Sequence, residues 1–238
     1  MRAELIFIVL VCAIAGVHSS CFAQQVTVTA KVQLAGIHND RPADSSGAVI
    51  WLNPLGSSTK TEAARGRLQL VQKHKSFSPH LLVVQVGSSV EFPNQDPFFH
   101  NVFSLFEGRR FDLGLYEAGS TRSVVFNRAG ISYIFCNIHP EMSAVVIALN
   151  TSYYEVSDRE GKIAIPNVPP GRYEINIWHE RALPETSSGL KRTIVISDES
   201  AALGMIQLPL ERNLSPAHKN KYGKDYDPAG AGAIYPRP

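Results

Sequence analysis

The sequence predicts an all-β protein: an antiparallel sandwich or barrel, then a second small antiparallel β-sandwich. Three observations carry that expectation. Apolar residues recur at every second position in short runs, Gly, Asn, Asp and Pro cluster between the runs, and helical periodicity is nearly absent. A period of two, bounded by turn residues, is what half-buried strands joined by tight reversals require.

At the N-terminus, Arg2 is followed by an apolar run from Leu5 to Val17, too short to span a bilayer, then by small residues and Cys21-Phe22-Ala23. This is the pattern of a secretory signal peptide, residues 1–23, cut after Ala23. Lipidation at Cys21 would call for a bulky aliphatic three positions upstream, where His18 stands. No later stretch approaches the roughly 18 apolar residues of a membrane span. The expected location is therefore periplasmic or secreted. The net charge is +2, and Arg2 and Glu4 cancel when the signal is removed, so charge makes no case for a nucleic-acid partner.

The roughly 215 residues that remain suffice for one large or two small domains. Residues 24–65 hold the runs VTVTAKVQL from Val26 and AVIWL from Ala48, then a loop from about Ser57 to Gly66. These strands fit neither following block. They either lengthen the first domain or pair with the second sandwich and leave the first as an insertion. Residues 66–150 carry LLVVQV, SVVF, ISYIF and AVVIAL. Residues 151–212 carry YYEV, a reversal at Asp158 to Gly161, KIAI, the loop PNVPPG, RYEINIW, TIVI and MIQLPL. In RYEINIW, Tyr173, Ile175 and Ile177 share one face, with Arg172, Glu174 and Asn176 on the other. Residues 213–238, rich in Pro, Gly, Lys and Asp and without a period, read as a flexible tail.

Cys12 and Cys21 fall in the signal region, so the exported chain keeps Cys136 alone and cannot form an internal disulfide. A lone exported thiol is hidden in the core, paired with another chain, or bound to something. Its neighbours bear on the choice. In FCNIHPEM, between the strands ISYIF and AVVIAL, Cys136, His139 and Met142 share one loop. Thiolate, imidazole and thioether are soft or borderline donors that select copper or zinc over magnesium or calcium. A structural zinc site would ask for more cysteines at paired spacings, so copper is the better match. A trigonal copper site needs a second imidazole, and His100, after the turn-rich loop PNQDPFF, stands far enough upstream for strands to go out and return. His100, Cys136 and His139 would form the plane, with Met142 as the long axial contact.

On these residues the chain resembles the cupredoxins, the blue copper proteins of the plastocyanin and amicyanin type. Those proteins carry a His-Asn-Val stretch, here His100-Asn101-Val102, and close with Cys, His and Met on one loop, here with C-x-x-H-x-x-M spacing and Pro140 after His139. The resemblance covers about residues 66 to 150. It implies a Greek-key barrel, one type 1 copper ion, and an Asn101 whose backbone N–H donates to the Cys136 sulfur. It also implies a Phe99 carbonyl that faces the metal opposite Met142. His139 would lie at the surface in an apolar patch with Pro140, Phe98 and Pro97. Residues 151–212 resemble carboxypeptidase regulatory-like or transthyretin-like sandwiches, which implies an accessory role.

The implied function is one-electron transfer with a redox partner such as a periplasmic dehydrogenase or cytochrome, and no enzyme activity. The rival readings are a multicopper oxidase, a copper-delivery protein, and an adhesion or carbohydrate-binding module without metal. An oxidase would show His-Cys-His and His-x-His pairs, whereas Phe135 and Asn137 flank Cys136 and His-x-His is absent from the sequence. A delivery protein would carry Met and His clusters, but only Met142 and Met205 follow the signal. An adhesion module would present an aromatic platform, and only Trp178 and Tyr173 are candidates. His74 and His80 stand six apart and suggest a second metal site, though Pro79 breaks the strand regularity such a site needs. His179 reads as surface or sandwich filler, and His38 and His218 as loop or tail residues.

Overall fold

The structure is a computed structural model that describes residues 25–35, 44–56, 67–105, 108–210 and 219–226. The expected signal peptide, the loop at 57–66, and His38 and His218 lie outside the described residues. In chain order the strands are β1 (Val26–Ala35), β2 (Val49–Pro54), β3 (Leu68–Gln69), β4 (Val71–Lys73), β5 (Ser76–Ser78) and β6 (Leu81–Gln85). They continue with β7 (Ser89–Pro93), β8 (His100–Ser104), β9 (Phe111–Tyr116), β10 (Thr121–Val125), β11 (Gly130–Phe135) and β12 (Ser143–Leu149). The last are β13 (Tyr154–Val156), β14 (Lys162–Val168), β15 (Gly171–Trp178), β16 (Arg192–Ile196) and β17 (Ala202–Pro209), with the short helix α1 (Pro184–Gly189) after β15. The chain is almost all β, as its alternation predicts. Among the described residues no helix is long and apolar enough to cross a membrane.

Two sandwiches result. In the first, the sheet β10-β7-β3 faces the sheet β6-β12-β11-β8-β9 across a core that includes Phe92, Val102, Phe126, Ile134 and Val146. In the second, β14-β1-β17 faces β13-β2-β15-β16 across Val28, Leu52, Ile165, Ile175, Ile196 and Leu208. The early strands therefore pair with the C-terminal ones: β1 lies between β14 and β17, and β2 between β13 and β15. The chain leaves the second sandwich at Pro54 and re-enters on the adjacent strand at Tyr154, and the strands of the first sandwich lie between these two points in sequence. Three pairings are parallel, β1 with β17, β3 with β7 and β6 with β12, and each joins strands well separated in sequence.

The sequence of β12 shows how the sandwiches meet. Ala144, Val146 and Ala148 enter the first core, while Val145, Ile147 and Leu149 point the other way. The second set packs with Val49, Val83 and Trp178 in an apolar seam shared by the two sandwiches. A strand covered on both faces reads as a continuous hydrophobic run, which is why SAVVIAL lacks polar alternation. Each such side chain removed from water contributes about 1.5–3 kcal/mol. Polar contacts border the seam: the Tyr154 hydroxyl donates to the Val83 carbonyl at 3.3 Å, and His80 Nε2 meets the Glu180 carboxylate at 2.7 Å.

Candidate metal centre

The site is built where β8 begins and β11 ends. Before β8, Asn94 organises the connecting loop: its side-chain oxygen accepts from the Asp96 N–H at 3.0 Å and its amide donates to the Phe98 carbonyl at 2.8 Å. That places His100 at the first position of a fully buried strand. After β11 the chain turns through FCNIHPEM. The Met142 N–H donates to the His139 carbonyl at 3.0 Å and the Cys136 N–H to the Met142 carbonyl at 3.3 Å, which closes the loop before β12 starts at Ser143. Phe135 pairs with both Phe103 of β8 and Ser143 of β12, so the ladder fixes the Cys136 loop beside His100.

The structure brings the three donors together. Cys136 Sγ lies 3.8 Å from His100 Nδ1 and 3.7 Å from His139 Nδ1, and the two Nδ1 atoms are 3.1 Å apart. Among the described residues these form the one group of three or more potential ligands. His100, Cys136 and Met142 are wholly buried, and His139 is 7% exposed. The Phe98 ring sits edge-on to His100 at 5.2 Å and against His139 at 5.5 Å, with Lys75 Nζ over its face. Pro97, Phe99 and Pro140, neighbours in sequence of these residues, are exposed. The site thus has one thinly covered side, at His139, where the Phe98 ring lies.

A metal fits this triangle. With metal–nitrogen bonds of about 2.0–2.1 Å and a metal–sulfur bond of about 2.3 Å, a trigonal ion sets its donors roughly 3.5 Å (N to N) and 3.8 Å (N to S) apart. The sulfur edges match and the nitrogen edge is slightly compressed. Two imidazole lone pairs at 3.1 Å repel unless a proton or a metal ion lies between them. Burial pushes the Cys136 thiol above its ordinary range, and hydrogen bonds from the backbone N–H groups of Asn101, Ile138 and His139 oppose that shift in part.

Asp96 is a residue that sequence reasoning missed. It is 5% exposed, and its carboxylate accepts from His100 Nε2 at 2.8 Å, from the His74 N–H at 2.7 Å and from the Lys75 N–H at 2.9 Å. Burial works against its charge, yet the N–H groups of Lys75 and His74 and the His100 ring together hold its pKa below the ordinary carboxylate value. Burial lowers His100 against the pull of Asp96, so the ring is neutral, with its proton on Nε2 and its lone pair on Nδ1. His139 is pulled down to about 4, first by burial and then by His100.

Among the described residues the other histidines do not join the centre. His74 occupies the β4–β5 reversal with a φ of 54°. His80 has its Nδ1 3.1 Å from the Ser143 carbonyl and its Nε2 on Glu180, so neither ring nitrogen is left for a metal shared with His74. His179 is buried, and its Nδ1 accepts from the Arg181 N–H at 3.1 Å.

A second unread feature is the segment 219–226, within the stretch expected to be a flexible tail. The Tyr226 hydroxyl donates to the Cys136 carbonyl at 2.8 Å, and the Lys221 N–H donates to the Asn137 side-chain oxygen at 3.0 Å. Lys221 Nζ reaches Asp112 at 2.8 Å, and the other oxygen of Asp112 accepts from the Asn101 amide at 2.7 Å. No sequence signal announces these contacts, because they join positions some 80 to 110 residues apart.

No known family description matches the chain, and no curated protein is similar to it. Among solved structures, a purple cupredoxin from Nitrosopumilus maritimus is 23% identical over 34% of this chain and 99% of its own, with a TM-score of 0.32. A reduced mutant of amicyanin is 20% identical over 42% of this chain and 98% of its own, with a TM-score of 0.34. A copper-containing nitrite reductase from Thermus scotoductus SA-01 is 22% identical, with a TM-score of 0.34, over 41% of this chain and only 25% of its own length. At such identity and TM-score the likeness carries no argument about this chain.

Proposed function

We propose that the chain is an exported one-electron carrier with a single type 1 copper ion held by His100, Cys136 and His139 and, axially, by Met142. The observation that carries this reading is the buried triangle of two imidazole nitrogens and one sulfur. Its edges fit a first-row metal, and its two ring nitrogens, 3.1 Å apart, are placed to share a proton or an ion. The ion when bound supplies a one-electron couple between Cu(II) and Cu(I). The protein's residues do the rest. Asp96 holds the His100 tautomer with Nδ1 free, and three backbone N–H groups, Asn101 among them, stabilise a thiolate on Cys136. Closed backbone hydrogen bonds fix the loop so that little rearrangement accompanies a change of charge.

With His100, Cys136 and Met142 wholly buried, water and substrates have no approach except past His139. That arrangement suits electron transfer across a small apolar contact and leaves no coordination place for a reacting guest, so the reading is of a carrier and not an enzyme. It also disfavours delivery of copper, which needs exposed ligands to hand the metal on. The Phe99 carbonyl contact, the periplasmic or secreted location, and a redox partner such as a dehydrogenase or cytochrome belong to this same proposal. So does the division into a copper unit at 66–150 and a second sandwich that carries it.

The test is titration of purified mature protein with cupric ion. An intense blue or violet absorption with reversible reduction is expected, and Cys136→Ser removes it. A wild-type protein that binds no copper, or binds it without a thiolate band, overturns the reading.

A further inference from the structure

We propose that the C-terminal segment 219–226 is a strap of the metal centre, with Tyr226 and Lys221 acting as positioning residues for the Cys136 loop. The segment is preorganised for this. The Asn220 side-chain oxygen accepts from the Tyr222 and Lys224 N–H groups at 3.0 and 3.1 Å, its backbone N–H donates to the Lys224 carbonyl at 2.9 Å, and its carbonyl accepts from Gly223 at 2.9 Å. Gly223 takes the left-handed backbone, φ 74°, that this reversal needs. The folded loop then reaches the centre at three points: the Cys136 carbonyl through the Tyr226 hydroxyl, the Asn137 side chain through the Lys221 N–H, and Asp112 through the Lys221 ammonium.

The third contact completes a chain. Asn101 donates to Asp112, Asp112 accepts from Lys221, and Lys221 donates to Asn137. Asn101 and Asn137 each follow a proposed ligand, His100 and Cys136. The two ligand-bearing segments are therefore tied through residues from the far end of the sequence. The Cys136 peptide plane, which Tyr226 holds from its carbonyl side, sets where Sγ meets the N–H groups of Asn101, Ile138 and His139.

One arm of the test is independent of copper; only the spectroscopic arm rests on the copper reading. In the metal-free full-length protein, the rate at which the Cys136 thiolate attacks a small disulfide reagent, releasing its other half as a thiol, is compared among the wild type, Tyr226→Phe, Lys221→Ala and the double variant. Val195→Ala, at a residue 60% exposed in the second sandwich, is the control. Loss of one hydrogen bond on the loop is expected to speed the reaction by about tenfold in Tyr226→Phe, more in the double variant, and not at all in Val195→Ala. In the copper-loaded protein the same variants should shift or weaken the thiolate band. Lys221→Ala, which removes the ammonium on Asp112 and keeps the backbone N–H on Asn137, serves if Tyr226→Phe fails to fold. Thiol rates and spectra equal to wild type in both single variants overturn the strap. A colourless wild type whose Cys136 still reacts faster in the variants overturns the copper reading and leaves the strap standing.

Discussion

His100 Nε2 lies 2.8 Å from the carboxylate of Asp96, a residue four positions upstream that is itself buried. The same carboxylate holds the His74 and Lys75 N–H groups, so one charge anchors both the proposed ligand and the β4–β5 reversal beside it. A carboxylate on the far nitrogen makes an imidazole a stronger donor and favours the more highly charged state of any metal on its near nitrogen.

Asp96→Asn should therefore raise the reduction potential of the copper-loaded protein. A tenfold change in the relative affinity for the two oxidation states corresponds to about 59 mV, and a shift of that order is expected. The metal-free protein should also lose about 1.5–3 kcal/mol of stability, because an amide cannot accept all three N–H groups. Voltammetry and urea unfolding on the same preparation check both. An unchanged or lower potential would remove Asp96 from the tuning of the site.

Met142 is wholly buried in the first core, where it both fills volume and stands as the proposed axial ligand. The two roles separate by substitution. Met142→Ala should cost about 2–5 kcal/mol through the cavity it leaves, whereas Met142→Leu should cost under about 1.5 kcal/mol. Both remove the thioether, so both should alter the absorption ratio and raise the potential of the loaded protein. If Met142→Leu leaves the spectrum and the potential at their wild-type values, Met142 is packing alone.

The proposed ligands were legible in the sequence because three of them share one seven-residue loop, Cys136 to Met142, whose spacing belongs to local chain geometry. His100 could be found because the chemistry of the other three asks for one more imidazole at a strand end. Asp96 was not legible: in NQDPFFH nothing distinguishes a carboxylate turned inward to a ring from one in water. The partners of β1 and β2 were undecidable for a related reason. Alternation says that VTVTAKVQL is a strand, but strand choice depends on distant side chains, here Ile165 and Leu208, that no local pattern identifies. The contacts of Tyr226 and Lys221 are also long-range, made by a segment with too little apolar surface to show a period.

His80 and Glu180 link the two sandwiches, and their pairing is sensitive to pH. The Glu180 hydrogen bond raises His80 above its ordinary value of 6.5, against the opposing effect of burial. A raised value means that the folded state holds the proton more tightly than the unfolded chain. The stabilisation is thus fully present below pH 6.5 and fades as pH rises through the folded value. With the His80 side chain 51% exposed, solvent screening limits it to less than about 1 kcal/mol. His80→Gln should accordingly lower stability at pH 5.5 and have a smaller effect at pH 9. A loss that grows with pH would contradict this pairing.

Gly161 gives a direct test of where the first strand belongs. Its carbonyl accepts from the Val32 N–H at 2.7 Å, its own N–H donates to Asp158 at 2.9 Å, and its φ is 78°. A Cβ at this position would collide with the Val32 carbonyl, which is backbone of β1 and cannot swing away. Gly161→Ala combines that collision with a left-handed backbone costing about 1–2 kcal/mol, so the total loss should exceed about 2 kcal/mol. The damage should stay in the second sandwich, because Val32 belongs to the sheet β14-β1-β17, whereas the seam with the first sandwich is made by Val49 and Trp178 of the other sheet. Calorimetry is expected to show a lower melting temperature for this variant, while the blue absorption of the copper-loaded protein at 20 °C keeps the wild-type intensity. A variant as stable as wild type would mean that β1 does not pass beside Gly161, and the assignment of the early strands to the C-terminal sandwich would fail with it.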